Sequence, residues 1–419
     1  MSLQIVESPA PGKPILIVSY HFPPENVPAS LRPFWFFKHL PEFGWRPWVL
    51  ASSLTHWWQG AETVLADPWV IRTPATGTHK RLLSFAHRIE PLASKYLLPG
   101  EYGQVWLPYA LAAARKAMRE RRFQAVFSTS PPSASHVVAL RLKQRYGIRW
   151  VADFQDPLVG NPFRSKHPVR DRYDRALESR VIRHADFIVA NTDTAAEAWR
   201  ERYPEHRGRI THIWNGFDAE EKIGPTPLPP RRYRVLAHVG TVYGARHPGL
   251  LLASFGRLIE SGALDPAAVK IQLVGPLDFQ SFPDAALVRK FMERGWLECT
   301  VAYLPREEAI RVTAEADYLL LLDLNEKGAA LQVPSKLYDY LRVGRPILAF
   351  TPENSPVAGI LARGGVPHVC ISPNAGREQL DRAVLEFLSL PTEPVEASAW
   401  FWQEFEARAL TRSLARLLD

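Results

Sequence analysis

Short apolar runs that end in a small or polar residue recur along the chain, and segments of helical spacing separate them. Nothing else in the sequence narrows the fold so far. Apolar runs of this kind are buried on both faces, which requires a parallel sheet with helices covering each side. In the first half the runs are PILIVSY (Pro14 to Tyr20), RPWVLAS (Arg46 to Ser52), AVFSTS (Ala125 to Ser130), RWVADF (Arg149 to Phe154) and DFIVANT (Asp186 to Thr192). Helix-like segments lie between them, among them LRPFWFFKHLPEFG and SASHVVALRLKQRYG, the second closing at Gly147, where a C-cap glycine is expected. After NGFD (Asn215 to Asp218) comes AEEKIGPTPLPPRRYR, rich in proline and charge and suited to an exposed linker. The rhythm then restarts with RVLAHVG (Arg234 to Gly240), VKIQLVG (Val269 to Gly275), TVAYL (Thr300 to Leu304), ADYLLLLD (Ala316 to Asp323), RPILAFT (Arg345 to Thr351) and HVCIS (His368 to Ser372).

The expected class is therefore α/β, with two doubly wound, Rossmann-like domains facing across a cleft. The expected boundaries are residues 1–215 for an N-terminal domain, 216–232 for a linker and hinge, and 233–392 for a C-terminal domain. Residues 393–419 are expected to return to the N-terminal domain, ASAWFWQEFEARALTRSLARLLD reading as one amphipathic helix.

Composition limits the function. The 419 residues, 46% hydrophobic and 22% charged, suffice for more than one core. The two cysteines, Cys299 and Cys370, stand apart from any Cys/His cluster, so neither a disulfide framework nor a zinc site is expected, and a reducing compartment is. No secretion signal or membrane span can be assigned, and a cytoplasmic location is expected. The net charge of +8 favours acidic partners. No nucleic-acid module accompanies the basic residues, so no nucleic-acid partner is expected.

Sheets of this kind bind ligands beyond the carboxyl ends of their strands. In LAHVGTVYGARHP, Gly240 ends a strand, Gly244 permits close backbone approach, and a helix is expected to start near His247 or Pro248 with Arg246 beside it. Free amides and a cation there suit a phosphate, while an ordinary turn with an exposed arginine fits the same residues. In LQVPSKLYDYLRVGRPILAF, Ser335 reads as an N-cap, Lys336 as a first-turn residue and Asp339 as its neighbour one turn on. A lysine at that end opposes the helix dipole unless it meets an anion, and Asp339 suits a ribose diol. A capped surface helix with an incidental ion pair is the alternative.

Read in order, SYHFPPENVPASLRPFWFFKHLPEFGWRPWVLAS, STSPPSASHVVALRLKQRYGIRWVADFQDP, ADFIVANT, IWNGFD, HVGTVYGARHP and VPSKLYDYLRVGRPILAF resemble the motifs of family 4 glycosyltransferases of the GT-B fold over nearly the whole chain. The resemblance implies a retaining enzyme that takes a sugar from a nucleoside-diphosphate sugar. It places Arg246 where the family commonly has a lysine for the donor diphosphate, Lys336 as a second diphosphate contact, and Asp339 at the second glutamate of a paired-glutamate motif, which contacts the ribose. Gly344 and Pro346 match the glycine and proline that follow. Gly240, Thr241, Gly244, Val333, Ser335 and Leu337 complete the implied donor-binding set. The sequence departs from the family at Thr241, often arginine, at Leu331, where the first glutamate would stand, and at PPENVPAS, which replaces a glycine pair. Retention in the family is attributed to a front-face route in which the leaving phosphate helps to deprotonate the acceptor. There is no Asp-x-Asp triplet, so a metal-independent reaction is expected, with Arg246, Lys336 and nearby amides stabilising the leaving diphosphate.

In the first half, Asp156 is the expected catalytic or acceptor-contacting carboxylate, and Pro24, Arg32, His136 and Asp153 are the candidate acceptor and cleft residues. Asp153, Asp156 and Arg32 also suit capping or ion pairing, and His136 a satisfied core histidine. Aromatic and basic residues interleave in RPFWFFKHL, THWWQG, HKRLLSFAHRIEPLASKYLL and ARKAMRERR, so a peripheral anionic membrane surface is an expected partner, alongside the nucleotide sugar and a glycan or lipid-linked acceptor of cell-surface polysaccharide synthesis. A non-catalytic GT-B-like binding subunit, or another GT-B enzyme such as a nucleotide-sugar epimerase, fits the same fold.

Overall fold

The computed structural model describes residues 12–25, 27–53, 68–75, 103–161, 168–244, 246–324, 326–329 and 331–419. Among them the first sheet is built from β1 (Lys13–Ser19), β2 (Trp45–Ser52), β3 (Val70–Thr73), β4 (Ala125–Ser130), β5 (Arg149–Phe154), β6 (Phe187–Ala190) and β7 (Ile210–His212). Its order is β3-β2-β1-β4-β5-β6-β7, with every neighbouring pair parallel. The second sheet holds β8 (Arg234–Val239), β9 (Val269–Val274), β10 (Leu297–Thr300), β11 (Tyr318–Leu322), β12 (Ile347–Phe350) and β13 (His368–Ile371) in the order β10-β9-β8-β11-β12-β13, again all parallel. In each sheet the first strand is central and the winding reverses beside it, between β1 and β4 and between β8 and β11. Those two reversals are the switch points where doubly wound sheets open a crevice.

Burial explains why the runs were legible. Ile15, Leu16, Ile17 and Val18 of β1 and Leu319 to Leu322 of β11 are buried on both faces of their sheets. Two short edge strands, β3 and β7, escaped the sequence reading because their partly exposed residues lack a continuous apolar run. β10 lies earlier than TVAYL: the register pairs Leu297 with Ile271 and Thr300 with Val274, while Val301 and Tyr303, at 59% and 56% exposure, lie beyond the strand.

The chain divides into a C-terminal unit, Ala219–Glu406, and an N-terminal unit that combines the residues up to Asp218 with Ala407–Asp419. The tail is two helices rather than the expected one, Ala399–Phe405 and Ala407–Leu418, because Glu406 between them takes an extended conformation with ψ 139°. Each half serves its own core. Phe405 packs on Tyr338 in the C-terminal unit. Leu410, Leu414 and Leu418 are buried in the N-terminal core, each contributing about 1.5–3 kcal/mol.

That core also takes Phe34, Trp35, Phe36 and Phe37 from the helix Pro28–His39. The aromatic run expected to serve a membrane surface is therefore a core stripe, since the sheet supplies the apolar partner that a lipid would. THWWQG lies outside the described residues, as do Lys80, Arg81, Arg88 and Lys95.

Candidate functional site

β8 ends at Val239 and the chain turns at Gly240, whose φ of 134° is one that other residues rarely adopt. A Cβ at this position would stand 2.6 Å from Nζ of Lys336. The absence of a side chain therefore leaves the space that the lysine occupies. Lys336 opens the helix Lys336–Val343 and reaches back to the strand, where its Nζ lies 2.9 Å from Nε2 of His238. Nδ1 of that imidazole lies 3.0 Å from the carbonyl oxygen of Leu320 on β11. A carbonyl can only accept, so the Leu320 contact assigns the ring proton to Nδ1 and turns the Nε2 lone pair to the ammonium, with the Thr241 backbone also bonded to the ring. Burial, then the nearby Lys336 charge, hold His238 well below the usual histidine range. Burial, then the Arg246 charge, bring Lys336 down to about 7. Among the described residues no carboxylate forms an ion pair with Lys336.

The loop after β8 brings the second cation. Tyr243 and Arg246 exchange backbone hydrogen bonds of 3.2 and 3.0 Å around Gly244, at φ 56°, and the Arg246 guanidinium donates to the Tyr243 hydroxyl at 3.1 Å. The helix expected from His247 or Pro248 begins one residue later, Gly249–Glu260. Across the switch point, Asp323 follows β11, accepting hydrogen bonds from the Leu324 amide at 2.7 Å and the Thr351 hydroxyl at 2.8 Å. Burial pushes it up to about 6 against the pull of those bonds and of Arg246. Tyr340, buried on the Lys336 helix, accepts from the Val239 amide at 3.2 Å and so ties helix to strand.

The structure thus gathers Gly240, Thr241, Gly244, Arg246, Ser335 and Lys336 at one end of the second sheet. Asp339 is engaged elsewhere: both of its oxygens accept from Arg306, at 3.1 and 3.2 Å, and the same guanidinium holds Glu221. Ser335 sits at the N-cap position, but in helical conformation and without a side-chain cap, contrary to expectation. Val333 and Leu337 point into the core, and the Leu337 amide is bonded to the Pro334 carbonyl at 3.0 Å, so the structure removes Leu337 as a donor contact.

The candidates in the first half part company. Arg32 and Asp153, 2% and 0% exposed, form a buried ion pair with Nη2 to Oδ1 at 2.7 Å. Thr129 donates to the same carboxylate at 2.7 Å, and the guanidinium also donates to the carbonyls of Ile213 and Trp214. Their hydrogen-bonding capacity is spent inside the core, which removes both from the acceptor set. His136 is removed as well. It is fully buried between the hydroxyls of Ser128 at 2.9 Å and Ser130 at 3.0 Å, and burial lowers it to about 3. Pro24 and Asp156 stay partly exposed in the loops after β1 and β5.

Sequence reasoning missed His238, Asp323, Tyr340, Arg306 and Glu221. A signal existed for two of them: His238 and Asp323 are titratable residues at the carboxyl ends of otherwise apolar strands. Arg306 is a cation opening the helix Arg306–Ala314, as Lys336 is in its own helix. Glu221 lay within the assigned linker and gave no sign.

Residues 38–221 match the family model of Glycosyltransferase Family 4. Over those residues the chain resembles that family. Similar proteins include D-inositol 3-phosphate glycosyltransferases from Corynebacterium urealyticum, 23% identical over 51% of this chain and 52% of the relative, and from Nocardiopsis dassonvillei, 26% identical over 50% and 53%. The chain spans about half the length of the curated relatives it matches. Among solved structures it resembles sucrose-phosphate synthase from Thermosynechococcus elongatus (TM-score 0.61, 15% identity, 97% of this chain and 94% of the other) and Anabaena HepE in complex with UDP (0.61, 15%, 96% and 99%). These likenesses place both units in a two-domain, Rossmann-like GT-B fold.

Proposed function

We propose that this protein is a retaining family 4 glycosyltransferase that moves a sugar from a nucleoside-diphosphate sugar to an acceptor, with the donor diphosphate held at the end of the second sheet. The observation that carries the reading is the Lys336 ammonium lying over Gly240 with a neutral imidazole, rather than a carboxylate, beside it. Among the described residues no carboxylate pairs with this cation, and an anion is the partner it suits. Departure of the sugar leaves extra negative charge on the diphosphate, and Lys336, Arg246 and the loop amides are fixed in advance to receive it. UDP is the first nucleotide to try, since HepE is described with UDP. The reaction runs without a divalent metal, protein cations supplying the charge, and the leaving phosphate assists deprotonation of the acceptor. Asp156 is the N-terminal unit's candidate for acceptor contact.

The acceptor is a glycan or lipid-linked saccharide of cell-surface polysaccharide synthesis, reached by peripheral contact with the inner face of a membrane. The support is the helix Leu107–Glu120, which buries Ala110, Ala114 and Ala117 and exposes Tyr109, Arg115, Lys116 and Arg119. Among the described residues no helix is long and apolar enough to cross a membrane. A non-catalytic nucleotide-binding subunit is the reading that Leu331 favours, an apolar residue where the resemblance implies a carboxylate.

Incubating the protein with a panel of nucleotide sugars, lipid-linked and free saccharides, with and without EDTA, tests the proposal. It expects EDTA-insensitive release of one nucleoside diphosphate with product of retained anomeric configuration. Tight nucleotide binding with no turnover on any acceptor contradicts it in favour of the binding subunit, and inversion contradicts the retaining assignment.

A further inference from the structure

Resting on the donor site proposed above, the geometry points to His238 as its positioning residue: a neutral imidazole whose Nε2 lone pair aims the Lys336 ammonium over Gly240, into the place of the diphosphate. Three observations converge on it. The ring is buried within β8, so it has no role toward solvent. Its Nδ1 lies 3.0 Å from the Leu320 carbonyl, which orients the ring and assigns that nitrogen the proton, and its Nε2 turns to Lys336 at 2.9 Å, with the Thr241 backbone also bonded to the ring. Finally, Gly240 removes the one backbone substituent that would evict Nζ.

An imidazole suits this task better than a carboxylate. A carboxylate would neutralise the lysine and compete with the incoming anion, whereas a neutral acceptor orients the ammonium and leaves its charge unspent. The ionisable groups around Lys336 agree with that division of labour. On β8 stands His238, in the following loop Arg246, beyond β11 Asp323 and on the lysine's own helix Tyr340 and Asp339. Asp339 is held by Arg306 and Asp323 by Thr351 and the Leu324 amide. With Lys336 brought to about 7 in the ligand-free chain, an arriving diphosphate restores the ammonium, so binding at pH 8 takes up protons from the buffer.

The test is calorimetric titration of UDP, with uridine as the ligand lacking a diphosphate, into the full chain and its His238→Gln, His238→Asn, His238→Phe and Lys336→Ala variants. Each titration is run at pH 8 in Tris and in HEPES, two buffers that differ in ionisation enthalpy. Gln keeps an acceptor near the Nε2 position, Asn is too short for it and Phe has none. The expected result is a loss of UDP affinity of about tenfold in Asn and Phe, the scale of one hydrogen bond to a charged group, with affinity largely kept in Gln and uridine unaffected throughout. Proton uptake is expected in the wild type and in Gln and is expected to vanish in Lys336→Ala. Asn stands in should Phe fail to fold. UDP affinity lost in Lys336→Ala and unchanged in Asn and Phe overturns the role of His238 and leaves the donor site standing. Affinity unchanged in Lys336→Ala overturns the donor site and this inference with it.

Discussion

Each sheet carries a cation near the carboxyl ends of its strands, buried in the first and half-buried in the second, and the two have opposite fates. Arg32 in the N-terminal unit is matched bidentately by Asp153 and by backbone carbonyls, and nothing about it invites a ligand. Lys336 in the C-terminal unit is met by a neutral imidazole and a bare glycine. A charge withdrawn from water is stabilised by pairing, so the fully matched buried pair belongs to the fold, while a half-buried cation held beside a neutral acceptor marks a place for a counter-charge to arrive. From sequence both were candidate ligand contacts; their partners separate them.

The most disruptive way to probe the comparison is to break the matched pair. Arg32→Met leaves Asp153 buried and uncompensated and is expected to cost roughly 3–5 kcal/mol in denaturant unfolding, with Arg32→Met/Asp153→Leu recovering more than half of it. An exposed-site effect under ~1 kcal/mol would erase the distinction. Lys336→Ala is expected to do the reverse, lowering affinity for a nucleoside diphosphate by about 10–100-fold while thermal stability is kept.

Gly240→Ala sharpens the picture from the backbone side. The new methyl must displace Lys336 Nζ at an unfavourable φ, with an expected loss of about 1–3 kcal/mol in stability, and it weakens UDP binding without weakening uridine binding. A further effect is on pH dependence. Lys336 titrates lower in the folded chain, at about 7, than in the unfolded chain, so between that value and the ordinary lysine range the unfolded state binds more protons. Wild-type stability measured against Lys336→Met is therefore expected to rise as the pH goes from 7 toward 10, and a flat difference would place the lysine in water.

These contrasts explain what the sequence could disclose. Runs such as PILIVSY and ADYLLLLD announce strands because burial on both faces leaves no polar alternation to confuse them. Lys336 announced itself because a cation at a helix start opposes the dipole. What tertiary pairing decides stayed hidden: that Asp153 is spent on Arg32, that His136 is closed between two serines, and that Asp339 belongs to Arg306. The break at Glu406 was hidden for a related reason, since both halves of the tail carry apolar stripes and only the cores they join tell them apart.

The central claim is that the Lys336 ammonium receives the donor diphosphate. A crystal structure of the protein with UDP tests it most directly. A phosphate oxygen is expected within about 2.7–3.2 Å of Lys336 Nζ, over Gly240 and beside the loop that carries Arg246. UDP bound at full occupancy with its diphosphate elsewhere, and the lysine still resting on His238 alone, would contradict it.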